Sequence, residues 1–236
     1  MTFLRGLDPP PILILCGGVG SRLKALTFDK PKCLIRVHHE TFLFFQISNF
    51  SNIGFSKFVL CVHHLSDLIQ LECNRISNKL DVEIEVLDDG ARALGTGGAI
   101  INALKTLPDY FYVTNGDSFL PFDLGRFTKK SYNERKNFMT VARPPNLLDA
   151  NLQIIGDEII GYSKKGGSQL NFIDYGFLGL NKSALKHFKK QTFFDAGELY
   201  SELIADKRIR PYFVDEPYFD VGSYCGYSSL LTYVSR

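Results

Sequence analysis

The hydrophobic pattern changes rhythm part-way along the chain. Ile12 to Cys16 is apolar throughout, as a strand buried on both faces should be, and Phe58 to Val62 repeats the pattern. Phe42 to Phe50 predicts a helix with apolar positions at Phe42, Phe45 and Phe50. A second helix is expected from Ser66 to about Asn78, with Ser66 as its N-cap. Val82 to Leu87 alternates acidic and apolar residues, which predicts a half-exposed strand. Gly97 to Leu107 reads as a helix with Thr96 as its N-cap, and Tyr110 to Thr114 as a short central strand running into Asn115-Gly116-Asp117. Beyond Asn137 the strands crowd together: Phe138 to Ala142, Leu152 to Ile155, Ile159 to Tyr162 and Phe172 to Leu180. Helices return at Lys182 to Lys189, Gly197 to Ala205 and Tyr224 to Val234.

Alternation of strand and helix in the first half predicts an α/β fold with a mostly parallel sheet covered by helices. The shorter turns of the second half bring mixed or antiparallel pairing into that sheet. No linker, repeat or low-complexity stretch interrupts the chain, so residues 1–236 read as a single domain.

Composition narrows the partners. Of 236 residues, 45% are hydrophobic, enough to bury a full core. The formal net charge of +2 demands neither nucleic acid nor an anionic membrane, so any anion-binding surface is local. Met1 to Pro11 has no apolar run of the signal-peptide kind, and Ile12 to Cys16 is too short to span a bilayer. Five cysteines, an odd number with no Cys-x-x-Cys, read as free thiols of a cytoplasmic protein. The 20 Phe and 11 Tyr are compatible with a homodimer.

The candidate chemistry begins where the first strand ends. Gly17 to Arg22 follows a buried strand, and ligands of open α/β sheets sit at the carboxyl ends of strands. Glycines let the backbone approach a ligand and aim several N–H groups at one anion. Two familiar phosphate loops do not fit. A P-loop starting at Gly17 would need glycine where Arg22 stands, and a dinucleotide fingerprint starting at Gly18 would need glycine or alanine where Leu23 stands. The basic residues arrive instead as Arg22 and then Pro31-Lys32. His38-His39 and Cys61-Val62-His63-His64 lack the second pair that a zinc site requires.

Gly17-Gly18-Val19-Gly20-Ser21-Arg22-Leu23 followed by Pro31-Lys32 resembles the signature of the sugar-1-phosphate nucleotidylyltransferases, also called nucleotide-sugar pyrophosphorylases. Leu94-Gly95-Thr96-Gly97-Gly98-Ala99 resembles that family's second nucleotide loop, Asn115-Gly116-Asp117 its metal-binding turn, and Phe219-Asp220-Val221-Gly222-Ser223 its late Asp-Ile-Gly-Thr segment. The four stretches come in the family's order over nearly the whole chain.

The resemblance implies a three-layer Rossmann-like nucleotidyltransferase fold. Its nucleotide-binding half would be about 10–120 and its sugar-binding half about 121–236. It also implies roles. Cys16, Gly17, Gly18, Gly20, Ser21 and Arg22 would line the nucleotide phosphates, with Asp89, Gly95, Thr96, Gly97 and Gly116 also on the nucleotide. Arg22, Lys32 and Asp117 would be catalytic, and Asp117 and Asp220 would share a Mg²⁺ ion. Asn115, Lys165, Asp174, Tyr175 and Gly176 would meet the sugar. Lys164 stands where the family shows glutamate, and Asp174 where it shows asparagine.

The run Asp88-Asp89-Gly90 to Ala99 looks most like the heptose-1-phosphate guanylyltransferase branch, which implies GTP, a manno-heptose 1-phosphate and nucleotide-sugar biosynthesis for capsule or lipopolysaccharide. Uridylyl-, thymidylyl- and cytidylyltransferases share the same loops. A non-catalytic nucleotide-binding regulatory subunit and an NAD-dependent oxidoreductase are the readings from other classes.

Overall fold

The computed structural model describes residues 9–18, 23, 27, 30–188, 193–217 and 219–235. In chain order the elements are β1 (Ile12–Leu15), β2 (Arg36–Val37), β3 (Glu40–Thr41), α1 (Phe42–Ile53), β4 (Lys57–Val62), α2 (Ser66–Leu80), β5 (Glu83–Asp88), α3 (Gly95–Ala103) and β6 (Tyr110–Asn115). Then come β7 (Ser118–Phe119), α4 (Leu124–Glu134), β8 (Asn137–Ala142), β9 (Leu152–Ile155), β10 (Glu158–Tyr162), β11 (Ile173–Asn181), α5 (Ala196–Ala205), β12 (Ile209–Val214), β13 (Phe219–Asp220) and α6 (Tyr224–Val234). A seven-stranded mixed sheet has the order β12-β8-β11-β6-β1-β4-β5, which is the α/β architecture the sequence pattern predicts.

The chain divides into two compact units, residues 1–93, 114–119 and 219–236, and residues 94–113 and 120–218. In the first, β1, β4 and β5 run parallel, with Leu15 opposite Cys61 and Val62 opposite Asp88. Their carboxyl ends therefore face the same way. Ile12, Leu13 and Ile14 are wholly buried, which explains their unbroken apolar run. A separate apolar cluster joins Ile35, Val37, Phe42, Phe119, Phe219, Val221 and Leu230. Helix α1 starts at the Thr41 cap, whose hydroxyl accepts from Phe44 N, and stops at Gly54 in the left-handed conformation.

In the second unit, β8 pairs antiparallel with β11 and parallel with β12. Its core is aromatic. Phe127 of α4 meets Phe177 and Tyr212 edge to face at 5.4 and 4.9 Å, and Tyr112 stacks on Phe177 at 5.4 Å.

Several local expectations fail for identifiable reasons. Ser66 is the first residue of α2 rather than its cap; Leu65 holds the cap position in a left-handed conformation, and the Ser66 hydroxyl bonds Asp88 instead. Thr96 lies inside α3, with its hydroxyl accepting from Ala196 N at 2.9 Å. The segment from Lys182 forms a single 3-10 turn, Lys182–Leu185, and residue 189 is outside the described residues. Helix α4 and strand β12 were not expected at all.

Candidate active site

The first unit brings three strand ends side by side. Gly17 and Gly18 leave the end of β1, His63 the end of β4, and Asp89 and Gly90 the end of β5. Cys16 N donates to Cys61 O at 2.8 Å, and Asp89 N to Val62 O at 2.9 Å, so the sheet ladder continues to the edge of these loops. Gly18 is exposed, with nothing within 4 Å of where a Cβ would stand. A ligand could approach its backbone closely. Gly20, Ser21 and Arg22 lie outside the described residues.

Cys16 plays a structural part. Its thiol is pushed well up by a hydrogen bond with Cys33 and by burial, which makes it a poor nucleophile. It packs under the Asn115-Gly116-Asp117 turn, where a Cβ on Gly116 would stand 2.8 Å from Cys16 Sγ and 2.8 Å from Leu15 O. Gly116 N donates to that same Leu15 carbonyl at 3.0 Å. The turn is thus seated on the end of β1, and only a glycine fits.

Asp117 and Asp220, far apart in sequence, are joined by a two-residue ladder. β7 and β13 pair antiparallel, with Asp220 opposite Ser118 and Phe219 opposite Phe119, and Val221 N donates to Asp117 O at 2.9 Å. The rings of Phe119 and Phe219 lie 6.1 Å apart, and Tyr233 of α6 packs against both. Burying each such ring stabilises the ladder by about 1.5–3 kcal/mol. Gly226, in the first turn of α6, lies so close to the Asp220 backbone that a Cβ would be 1.9 Å from Asp220 O.

Lys32 completes this cluster. It opens a 3-10 turn after Pro31, with Leu34 N bonded to Pro31 O at 2.9 Å and Cys33 buried beneath. Its ammonium bonds Asp117 Oδ2 and lies 4.0 Å from Asp220 Oδ1, while Gly222 N donates to that Asp220 oxygen at 2.6 Å. Side-chain exposures of 13% for Lys32, 28% for Asp117 and 26% for Asp220 leave the group partly open to a ligand. The three groups together carry one excess negative charge. An oxygen-only pair of carboxylates, with room for water or phosphate oxygens, fits Mg²⁺. No three or more His, Cys, Asp or Glu side chains converge as a metal cage among the described residues.

The second unit holds the other expected residues, with one surprise. Gly95 and Gly97 are glycine because of Phe194: a Cβ on either would stand 2.4 Å from it. Gly97 N donates to Phe194 O at 3.1 Å. Thr96 Oγ1 donates to Asp195 Oδ2 at 3.3 Å, and Lys164 Nζ donates to the same oxygen at 2.8 Å. Asp195 therefore links the start of α3 to the Lys164 segment, and it also caps α5 in a capping box with Glu198. Desolvation opposes its ionisation, but Lys164, Gly197 N–H and Thr96 together hold its carboxyl below the usual range.

Asp174, Tyr175 and Gly176 sit where the register of β11 against β8 shifts, and Gly176 has φ +91°. Such irregularities re-aim side chains. Gly176 N donates to Asp174 Oδ1 at 2.9 Å, and Asp174 N to Asn151 Oδ1 at 2.8 Å. Burial pushes the Asp174 carboxyl up to about 6, against the pull of Gly176 N–H and Lys164. Tyr175 is core: its ring is wholly buried and its hydroxyl donates to Pro217 O at 2.8 Å. Lys165 is exposed. Asn115 belongs to the first unit, and Lys165, Asp174, Tyr175 and Gly176 to the second. Sequence reasoning missed Gln46 and Asp195. Gln46 was detectable as a polar residue amid the apolar face of α1.

The first unit thus holds glycines at the ends of β1 and β6 together with a lysine and two carboxylates. Residues 12–146 match the family model described as nucleotidyl transferase. The chain belongs to that family, as an enzyme of the sugar-phosphate nucleotidyltransferase class. It is 29% identical over 215 residues to the D-glycero-alpha-D-manno-heptose 1-phosphate guanylyltransferase of Campylobacter jejuni, covering 89% of this chain and 93% of the relative. It is 28% identical over 167 residues to the mannose-1-phosphate guanylyltransferase catalytic subunit beta of Dictyostelium discoideum, covering 69% of this chain and 44% of the relative. Among solved structures, HddC from Yersinia pseudotuberculosis complexed with GMP-PN has the same fold. Its TM-score is 0.79 at 21% identity, over 95% of this chain and 99% of that one. No helix among the described residues is long and apolar enough to cross a membrane.

Proposed function

We propose that the chain joins D-glycero-D-manno-heptose 1-phosphate to GTP, giving a nucleotide-sugar and pyrophosphate, with residues 1–236 working as one nucleotidyltransferase domain in the cytoplasm. The observation that carries the chemistry is the Lys32 ammonium bonded to Asp117 and 4.0 Å from Asp220. The choice of heptose and guanine rests on the Campylobacter relative, whose length this chain matches almost throughout.

The attacking group is a phosphate oxygen. Its monoester is mostly dianionic at neutral pH, since the second pKa is about 6, so no general base is needed. The difficulty is holding two polyanions in line and offsetting charge as pyrophosphate leaves, which is the work of positioning and fixed charges. Lys32 brings a compact ammonium to the reacting phosphate, and Arg22 a planar fork to the triphosphate. Backbone N–H groups of Gly17, Gly18, Gly20 and Ser21 line the phosphates, and Gly116 and the loops at Asp89 and Gly95-Thr96-Gly97 meet the nucleotide. Asp117 and Asp220 would hold Mg²⁺, which when bound neutralises phosphate charge. Lys165, Asp174, Asn115 and the backbone of Tyr175-Gly176 serve the sugar side.

The test is pyrophosphate release with Mg²⁺, over GTP, ATP, UTP, CTP and dTTP against manno-heptose, mannose and glucose 1-phosphates. The highest turnover is expected with GTP and the heptose. A higher rate with mannose 1-phosphate, the substrate in the Dictyostelium relative's name, would replace the sugar. Silence in every arm would overturn the proposal.

A further inference from the structure

Gln46 lies on the buried face of α1, only 2% exposed, and is the polar exception among Phe42, Leu43, Ile47 and Phe50. Its amide nitrogen donates to Asn115 O at 2.9 Å and to Ser118 O at 2.9 Å. Those two carbonyls bracket Gly116 and Asp117. Both N–H bonds of one side chain thus hold the two ends of the turn that carries the carboxylate facing Lys32. We propose that Gln46 is a positioning residue for this reaction: its amide sets the aim of Asp117 without touching substrate. This rests on the reading of Asp117 as a reaction-site carboxylate.

The physical case has three parts. First, a buried carbonyl left without a donor is costly, so a residue that satisfies two of them controls where the turn can sit. Second, the remaining ties leave the turn a hinge. Gly116 N is fixed to Leu15 O and Asp117 O to Val221 N, which secure the middle of the turn to β1 and β13. The flanking carbonyls are what set its rotation about those points, and Gln46 grips both. Third, Gln46 sits on a rigid helix whose cap and left-handed terminator are both in place, so its own position is defined. The donor half of the amide does this work; its Oε1 is buried with no hydrogen-bond partner among the described residues.

A double-mutant cycle tests this, with Gln46→Met, Asp117→Asn and both together, assayed by pyrophosphate release on the best substrate pair of the panel above. Methionine keeps the shape and removes both donors. A displacement near 1 Å lowers turnover about a hundredfold, so Gln46→Met should lose roughly ten- to a hundredfold in kcat with KM nearly unchanged. In the Asp117→Asn background the same substitution should cost at most about twofold, because the group it aims is already gone. Hydrogen exchange should quicken in the peptide spanning 114–119 and not across β4 and β5. If Gln46→Met does not fold, Gln46→Asn, which keeps an amide but draws it back by one methylene, serves in its place. Wild-type kcat in a folded Gln46 variant overturns the proposal, as do equal losses in both backgrounds, which would mark a purely structural role. Wild-type turnover by Asp117→Asn alone would instead sink the reading of the site itself.

Discussion

A single methyl group at Gly116 probes how tightly the carboxylate turn is seated. In Gly116→Ala the new Cβ would stand 2.8 Å from Leu15 O, 2.8 Å from Cys16 Sγ and 3.2 Å from Cys16 Cα. Non-bonded heavy atoms prefer about 3.5 Å or more, so something must move by roughly half an ångström. Two of the three atoms are backbone at the end of β1, a strand held by β4 in register, and they yield little. The turn must therefore retreat, which strains its Gly116 N to Leu15 O bond. Overpacking costs about 1–3 kcal/mol and the weakened hydrogen bond about 1 kcal/mol, so stability should fall by about 2–4 kcal/mol. Because Asp117 moves with the turn, kcat should fall at least about tenfold. Urea unfolding followed by circular dichroism, together with pyrophosphate release, gives both numbers. A variant within about 0.5 kcal/mol of wild type and equally active would refute the close seating on β1.

Other expectations concern residues around this frame. Gly226→Ala should destabilise strongly and lower kcat, because its Cβ would press on the Asp220 carbonyl from 1.9 Å; an unchanged melting temperature would contradict the packing of α6 on β13. The Asp174 carboxyl, raised to about 6 from an unfolded value near 3.9, binds its proton more tightly in the folded state. Its contribution is favourable at low pH and is lost as pH rises through about 4 to 6, so Asp174→Asn should gain stability relative to wild type above pH 6. Parallel melting-temperature profiles from pH 4 to 8 would refute this. Asp195→Ala removes a cap and a junction and should cost about 1–2 kcal/mol, whereas Lys164→Met breaks a half-exposed pair and should cost less than about 1 kcal/mol. Equal costs in denaturant unfolding would show that the ion pair, not the cap, carries the junction.

How much of this was readable in the sequence depends on where each signal resides. β1, β4 and the central strand β6 announce themselves by unbroken apolar runs, and the order of the four loop stretches pointed to the family. Helix α4 hid because its buried face is Leu124, Phe127, Thr128 and Ser131, the right spacing with only two strongly apolar members. Strand β12 hid behind Pro211, which reads as a breaker but is tolerated because β12 is at the edge of the sheet. Ser66 and Thr96 looked like caps, yet their hydroxyls serve distant partners, Asp88 and Ala196, that no local window contains. The glycines at 95 and 97 were legible as glycines but not in their reason, since Phe194 lies far along the chain. The pairing of Asp117 with Asp220 could be inferred only from the resemblance, because a two-residue ladder leaves no periodic trace.

The central claim is that the Lys32 ammonium, held by two aspartates, meets the reacting phosphate. Its most direct test is the turnover of purified, folded Lys32→Ala with Mg²⁺ and the best nucleotide and sugar 1-phosphate pair. The account predicts a fall of at least about a hundredfold with circular dichroism unchanged. Turnover within twofold of wild type would contradict it.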